Sequence, residues 1–208
     1  MKYLVSVLIP TLLERKEKFN NLLEKIQIQI DDYNLKDLVE VISICDNRNL
    51  RLCDKRNRMQ NFAQGEYFFH LDDDDSISDD YFKVVCDEIK KLQKKDKDLP
   101  DMITYDQFCK VNGNEFIVSA DLKCKSFGLV PVSAHNNMAR FTRLPWQYHL
   151  WRTKKFSHIW RTDVDTNARE DQNWLKKIYL EYPKTQHHID KILHYYYFGT
   201  DGIPTTCQ

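Results

Sequence analysis

A chain of 208 residues is long enough for one domain with a substantial core, and a single domain over residues 1–208 is the starting expectation. Its 31 Lys and Arg balance its 31 Asp and Glu, so it lacks the basic excess of a protein that lives on nucleic acid. No apolar run reaches bilayer length, no signal sequence precedes the first predicted strand, and none of the six cysteines is spaced Cys-x-x-Cys as in a zinc or redox motif, which together predict a soluble, cytoplasmic protein.

In chain order, residues 5–11 (Val-Ser-Val-Leu-Ile-Pro-Thr) form a β-branched apolar run stopped by proline, a buried strand. Phe19, Leu22, Leu23, Ile26 and Ile30 fall at helical spacing and predict a helix over 14–30. Residues 39–45 predict a second strand ended by Asp46-Asn47, and 52–62 a polar helix closed by Gly65. A third strand follows over 66–71, then a helix over 79–92 with Phe82, Val85, Cys86, Ile89 and Leu92 on one face. Cys45 and Cys86 lie in apolar runs and read as small buried hydrophobes. Continuous apolar strands alternating with helices predict an α/β fold with a mostly parallel central sheet. Such sheets bind ligands at the carboxyl ends of their strands, where Thr11, Asp46 and the acids at 72–75 all fall.

Beyond a charged loop at 94–98, residues 102–110 and 115–122 predict strands around a turn at Asn112-Gly113-Asn114. Residues 144–159 are rich in aromatics, 168–182 predict a helix, and 189–198 a strand or a helix. Residues 1–100 read as a nucleotide half and 101–208 as an acceptor half. Basic clusters at 48–58 and 140–161 read either as solvated faces or as a local phosphate site.

The run Leu71-Asp72-Asp73-Asp74-Asp75 follows the third strand directly. Four acids at the mouth of a hydrophobic strand repel one another, and a hard divalent cation, Mg²⁺ or Mn²⁺, would relieve that repulsion while sharing its coordination with substrate phosphates. The competing reading is a solvated turn that caps the next helix; it accounts for Asp79 or Asp80 but not for acids that begin on the strand end.

Taken in order, residues 5–11, Arg15, residues 41–47, Lys55-Arg56-Asn57 and residues 65–75 resemble the nucleotide-sugar domain of family 2 glycosyltransferases, which have the GT-A fold, and Arg169-Glu170-Asp171 resembles that family's downstream acidic motif. The resemblance implies a UDP-sugar donor lying across the strand ends. Pro10 and Thr11 would touch the uracil through the backbone, with Arg15 nearby. Asp46 would accept from the uracil N3–H, against the alternative of a turn-capping residue. Lys55 and Arg56 would approach the uracil or diphosphate, Arg56 foremost because its planar fork suits phosphate, against the alternative of a basic helix face. Asn57 would order the loop.

The pair Asp72-x-Asp74 corresponds to the family's metal motif. Asp74 would hold Mn²⁺ or Mg²⁺ and Asp72 the ribose or the metal through water, while Asp73 or Asp75 would take either role if the register differs. Family members invert configuration with an Asp or Glu as base, which implies Asp171 first and Glu170 second, against an ordinary acidic helix start. His194 would be a third metal ligand, against the commoner structural histidine, and His70 reads as structural. Among Trp146, Tyr148, Trp151, Trp160 and Trp174, one or two would stack on the acceptor, Trp146 first, although such residues are more often core. The acceptor would be a carbohydrate or glycoprotein. The stretch Gln147-Tyr148-His149-Leu150-Trp151 lacks the arginine of the processive members' Gln-x-x-Arg-Trp, which argues against polymer export.

Two other readings stand beside this one. A sugar-nucleotide nucleotidyltransferase needs a Gly-rich loop after the first strand, and residues 10–15 contain no glycine. A non-catalytic carbohydrate- or cation-binding module would keep the four aspartates but have no use for Asp171.

Overall fold

The computed structural model describes residues 2–95, 98–135, 138–162, 170–181 and 183–199. Arg169 of the acidic motif, Cys207, Asp96 and Lys97 of the charged loop, and both ends of the helix expected over 168–182 lie outside the described residues.

Strand β1 (Tyr3–Leu12) lies between β2 (Val39–Asp46) and β3 (Gly65–His70), parallel to both. A 3₁₀ turn (Leu13–Arg15) leads from β1 into α1 (Lys16–Asp32), while α2 (Leu52–Phe62) crosses from β2 to β3. A short β4 (Ser76–Ile77) precedes α3 (Tyr81–Lys95). Both faces of β1 and β3 are covered. Val5, Val7, Ile9, Tyr67 and Phe69 enter the core under α1 and α3, with Leu22, Ile26, Phe82 and Val85. Leu8 and Phe68 enter a second core with Met59, Trp151 and Trp174. Burial on both faces is why these two strands read as unbroken apolar runs. β2, at the sheet edge, alternates instead: Cys45 is exposed, contrary to the expectation of a buried thiol, whereas Cys86 is buried.

Gly65 begins β3 rather than closing α2. A Cβ there would lie 2.7 Å from the Ser6 nitrogen and 2.8 Å from the Val5 carbonyl carbon, so this close approach of β3 to β1 requires glycine.

In the second half, β5 (Met102–Val111) and β6 (Asn114–Ala120) form the expected hairpin. Asn112 and Gly113 both take positive φ, 48° and 79°, the mirror-image turn that suits strand twist. β7 (Val130–His135) and β8 (Met138–Arg143) extend the sheet beyond β6. The aromatic stretch supplies β9 (Leu150–Arg152), antiparallel to both β3 and β5, and a single turn α4 (Thr153–Phe156). α5 (Glu170–Leu180) packs Trp174, Leu175 and Ile178 into the second core. Residues 186–198 resolve the strand-or-helix alternative as β10 (Gln186–Phe198), parallel to β5 with two register shifts. The result is a mixed sheet flanked by helices, parallel across β2-β1-β3 and turned antiparallel at β9.

Candidate functional site

Because β1, β2 and β3 are parallel, their carboxyl ends share one edge. Thr11, Leu12, Asp46 and the acidic run after His70 therefore meet there, beside the first turns of α2. A cavity of about 700 Å³ opens at this edge, within the usual span of small-molecule sites, and is lined by these residues, by the start of α5 and by inner faces of β5, β6 and β10.

Lys55 and Arg56 are each only 3% exposed, which excludes the solvated helix face. The Lys55 ammonium donates to the Thr11 carbonyl at 2.9 Å and to the Asp46 carboxylate. Asp46 also accepts from the Leu50 amide at 2.7 Å. Burial pushes the Asp46 carboxyl up, but Lys55 and the amides of Leu50 and Asn49 outweigh it and hold the group below its ordinary value. Asp46 is thus an ionised acceptor at the end of β2, with a fixed lysine behind it.

The four aspartates diverge. Asp72 meets Arg56 and is partly exposed. Asp73 accepts from the Thr11 hydroxyl at 2.6 Å and pairs with Arg15 at 2.5 Å, and the same guanidinium nitrogen lies 2.7 Å from Asp74. Asp75 faces His194 at 3.3 Å. Each acid has a basic partner, so the repulsion read from the sequence is met inside the protein. Burial, with a smaller push from the neighbouring acids, raises the Asp73 and Asp75 carboxyls; Thr11 and Arg15 oppose it at Asp73, and His194 opposes it at Asp75.

The oxygen donors of Asp72 and Asp74 suit a hard divalent cation, and the guanidinium that spans Asp73 and Asp74 shows that this spot is already arranged to hold positive charge. His194 is placed differently. Its Nδ1 accepts from the Gln107 amide nitrogen at 2.9 Å, because the Gln107 oxygen takes the Tyr148 hydroxyl at 2.8 Å. That network puts the imidazole proton on Nε2, facing Asp75, with Tyr148 stacked on the ring at 4.5 Å. Among the described residues, the one trio of acidic and histidine side chains with ligand atoms mutually within 4.8 Å is Asp106, His188 and Asp190, not Asp72, Asp74 and His194.

At the start of α5 the two acids differ sharply. Glu170 is buried: one carboxylate oxygen meets Arg56, and the other lies 2.6 Å from Arg161 Nε. Gln147 accepts from both arginines, at 2.9 and 3.2 Å. Asp171 lines the cavity, with its carboxylate accepting from the Gln172 amide at 2.7 Å. Asn57 pins the Arg161 backbone through bonds of 2.7 and 2.8 Å.

His70 is buried against Gln60 and Arg161, and burial followed by the nearby guanidiniums of Arg161 and Arg56 keeps it neutral, as a structural residue should be. Trp151 and Trp174 are core and Trp160 is exposed near Asn61, whereas Trp146 and Tyr148 line the cavity, Trp146 beneath the Arg143 guanidinium at 3.7 Å. Nothing local in the basic stretch 140–161 encodes the burial of Arg161, and Gln147 stands in a motif that the chain does not complete. A hint for Arg161 lay in Glu170, an acid on the apolar side of its helix that needs a partner.

The fold and this strand-edge cavity define an α/β protein of the GT-A, Rossmann-like class. No family model and no curated protein matches the chain. Among solved structures it is similar to residues 1–349 of S. aureus TarS in complex with UDP-GlcNAc (TM-score 0.58, 18% identity, 96% of this chain covered) and in complex with UDP (TM-score 0.55, 20% identity, 93% covered). It spans 60% of the length of each of those TarS chains.

Proposed function

We propose that this chain is the catalytic domain of a metal-dependent, inverting glycosyltransferase that moves a hexose from a UDP-sugar to a hydroxyl of a carbohydrate or glycoprotein, with residues 1–100 holding the donor and 101–208 the acceptor. The observation that carries it is the convergence on one strand edge of a fixed anionic acceptor (Asp46), cationic side chains (Arg15, Lys55, Arg56), an aspartate cluster and a cavity-facing Asp171. The fold shared with TarS structures holding UDP and UDP-GlcNAc supports the same reading.

Asp46 would accept the uracil N3–H, with Lys55 keeping that carboxylate ionised and aimed. The backbone at Pro10 and Thr11 would border the base. Arg15, released from Asp73 and Asp74 by a bound cation, would be free to pair with the diphosphate. Asp74 and Asp72 would hold Mn²⁺ or Mg²⁺, which supplies Lewis-acid stabilisation of charge on the departing UDP. Asp73, tied to Thr11, would keep the loop in place. His194 would join as a ligand through Nε2 only if its proton moved to Nδ1 and the Gln107 amide turned its oxygen to receive it. Asp171 would take the acceptor hydroxyl's proton as the new bond to the anomeric carbon forms and the bond to the phosphate oxygen breaks. Glu170, engaged by two arginines, would position rather than abstract.

The test is a panel of nucleotides with and without Mn²⁺, read as thermal stabilisation, since a ligand that binds only the folded state raises its melting temperature. UDP with Mn²⁺ should give the largest shift, and ADP or GDP little. Equal shifts for all three would remove the uracil assignment at Asp46.

A further inference from the structure

The sheet's second half carries a polar cluster on the face turned away from the cavity. Along β5, Gln107, Cys109 and Val111 line the cavity, so Thr104 and Asp106 point to the reverse side, joined there by Ser119 and Arg140. β10 pairs His188 with Thr104 and then shifts register between Ile189 and Ile192, where two extra residues are accommodated opposite Asp106. Such bulges re-aim side chains. This one brings Asp190 to the same point as His188 and Asp106, with the three ligand atoms mutually within 4.8 Å.

Three features fit a metal rather than a simple ion pair. Asp106 is 2% exposed, yet only one of its oxygens is hydrogen-bonded, by Ser119 at 2.6 Å; among the described residues the other has only the Arg140 guanidinium, at 3.7 Å. His188 is held at Nδ1 by the Thr104 hydroxyl at 3.0 Å, and that hydroxyl oxygen already accepts from Gln186 at 2.6 Å. The Thr104 hydroxyl proton is directed to the Ala120 carbonyl at 3.5 Å, so the second lone pair of its oxygen can accept the Nδ1–H of His188, the outer-shell bond that orients a ligating imidazole and leaves Nε2 for a metal. Nε2 lies 3.4 Å from Asp106, and His188 and Asp190 are open to solvent, so an ion has a path in.

We propose that Asp106, His188 and Asp190 bind one transition-metal ion, zinc by preference, with water completing the coordination. One imidazole and two carboxylates with open positions suit zinc and its analogue cobalt, whereas Mg²⁺ or Ca²⁺ favours an all-oxygen shell. The ion would pin β10 to β5 across the irregular stretch. The second register shift lies between Ile192 and His194, so the pin would also fix where His194 and Tyr196 meet the cavity wall. Because this site lies on the opposite face from Asp72 and Asp74, it stands or falls separately from the donor site.

The experiment strips the full chain with chelator and titrates Zn²⁺ by calorimetry, with Co²⁺ as an optical probe of the coordination shell. Uptake of one equivalent is expected, with a higher melting temperature and a cobalt spectrum typical of mixed nitrogen and oxygen ligation. His188→Gln and Asp190→Asn, both at exposed positions, should weaken binding at least about tenfold, while Asp74→Asn leaves it unchanged. Asp106→Asn serves only as a third variant, since that residue is buried. No zinc uptake, or uptake that survives both exposed substitutions, or uptake lost only in Asp74→Asn, would overturn the proposal.

Discussion

Glu170→Gln and Asp171→Asn, adjacent substitutions at the start of α5, should have opposite phenotypes. The Glu170 carboxylate is shared by Arg56 and Arg161, and all three residues are buried. Among the described residues the other side chains in contact with Arg161 are Gln60, Gln147, a neutral His70 and the Trp174 ring, while Asp171 and Asp72 act on it only through space. Removing the Glu170 charge leaves a buried guanidinium without its contacting carboxylate, a loss of about 3–5 kcal/mol. For a domain of this size 1 kcal/mol moves the melting temperature by about 2–4 °C, so the variant should melt about 6–20 °C lower. Asp171 is partly exposed and, among the described residues, its carboxylate bonds only the Gln172 amide, which asparagine can also satisfy; its stability change should stay within about 0.5 kcal/mol. If Asp171 is the base, UDP release driven by acceptor should fall about 10²- to 10⁴-fold with UDP binding intact. Scanning calorimetry and a UDP-release assay on the two proteins check both halves. A Glu170→Gln protein that melts with the wild type would show that the paired arginines hold nothing together, and an active Asp171→Asn would remove it from the chemistry.

Lys55→Met should destabilise by about 1–3 kcal/mol near neutral pH, because Asp46 loses its charged partner. Asp46 is depressed in the folded wild type, so its contribution is present above the unfolded value of about 4 and is lost as pH falls through the lower folded value. The wild-type advantage in urea denaturation should therefore hold from about pH 7 to about 4 and shrink as pH falls further; a gap that stays constant below about pH 4 would refute the coupling. Arg15→Gln should bind Mn²⁺ about tenfold more tightly without nucleotide, since a unit charge about 4 Å away contributes roughly 1–4 kcal/mol between water and a protein surface. Unchanged Mn²⁺ affinity by calorimetry would mean that cation and guanidinium do not compete. Gly65→Ala should cost about 1–3 kcal/mol in urea denaturation, as its Cβ would meet β1 backbone at 2.7 Å; a neutral result would show that β3 can move away freely.

What the sequence made legible follows from the range of the interaction involved. The strand ends could be read because parallel topology gathers carboxyl termini at one edge, and each of Thr11, Asp46 and Asp72 sits directly after a local apolar pattern. The partners of those residues could not be read in the same way. Arg56 finds Glu170 across 114 positions, and Thr11 finds Asp73 across 62, and no local periodicity encodes either meeting. The acidic run accordingly looked like unrelieved repulsion, whereas Arg15, Arg56 and His194 each take a share of it. Edge and bulge effects hid the rest. β2 kept an apolar composition although one side faces solvent, which misled the reading of Cys45, and the register shifts in β10 broke the alternation that marks a strand. Those same shifts gather His188 and Asp190 around Asp106, so the irregularity that obscured the element is what brings its ligating side chains together.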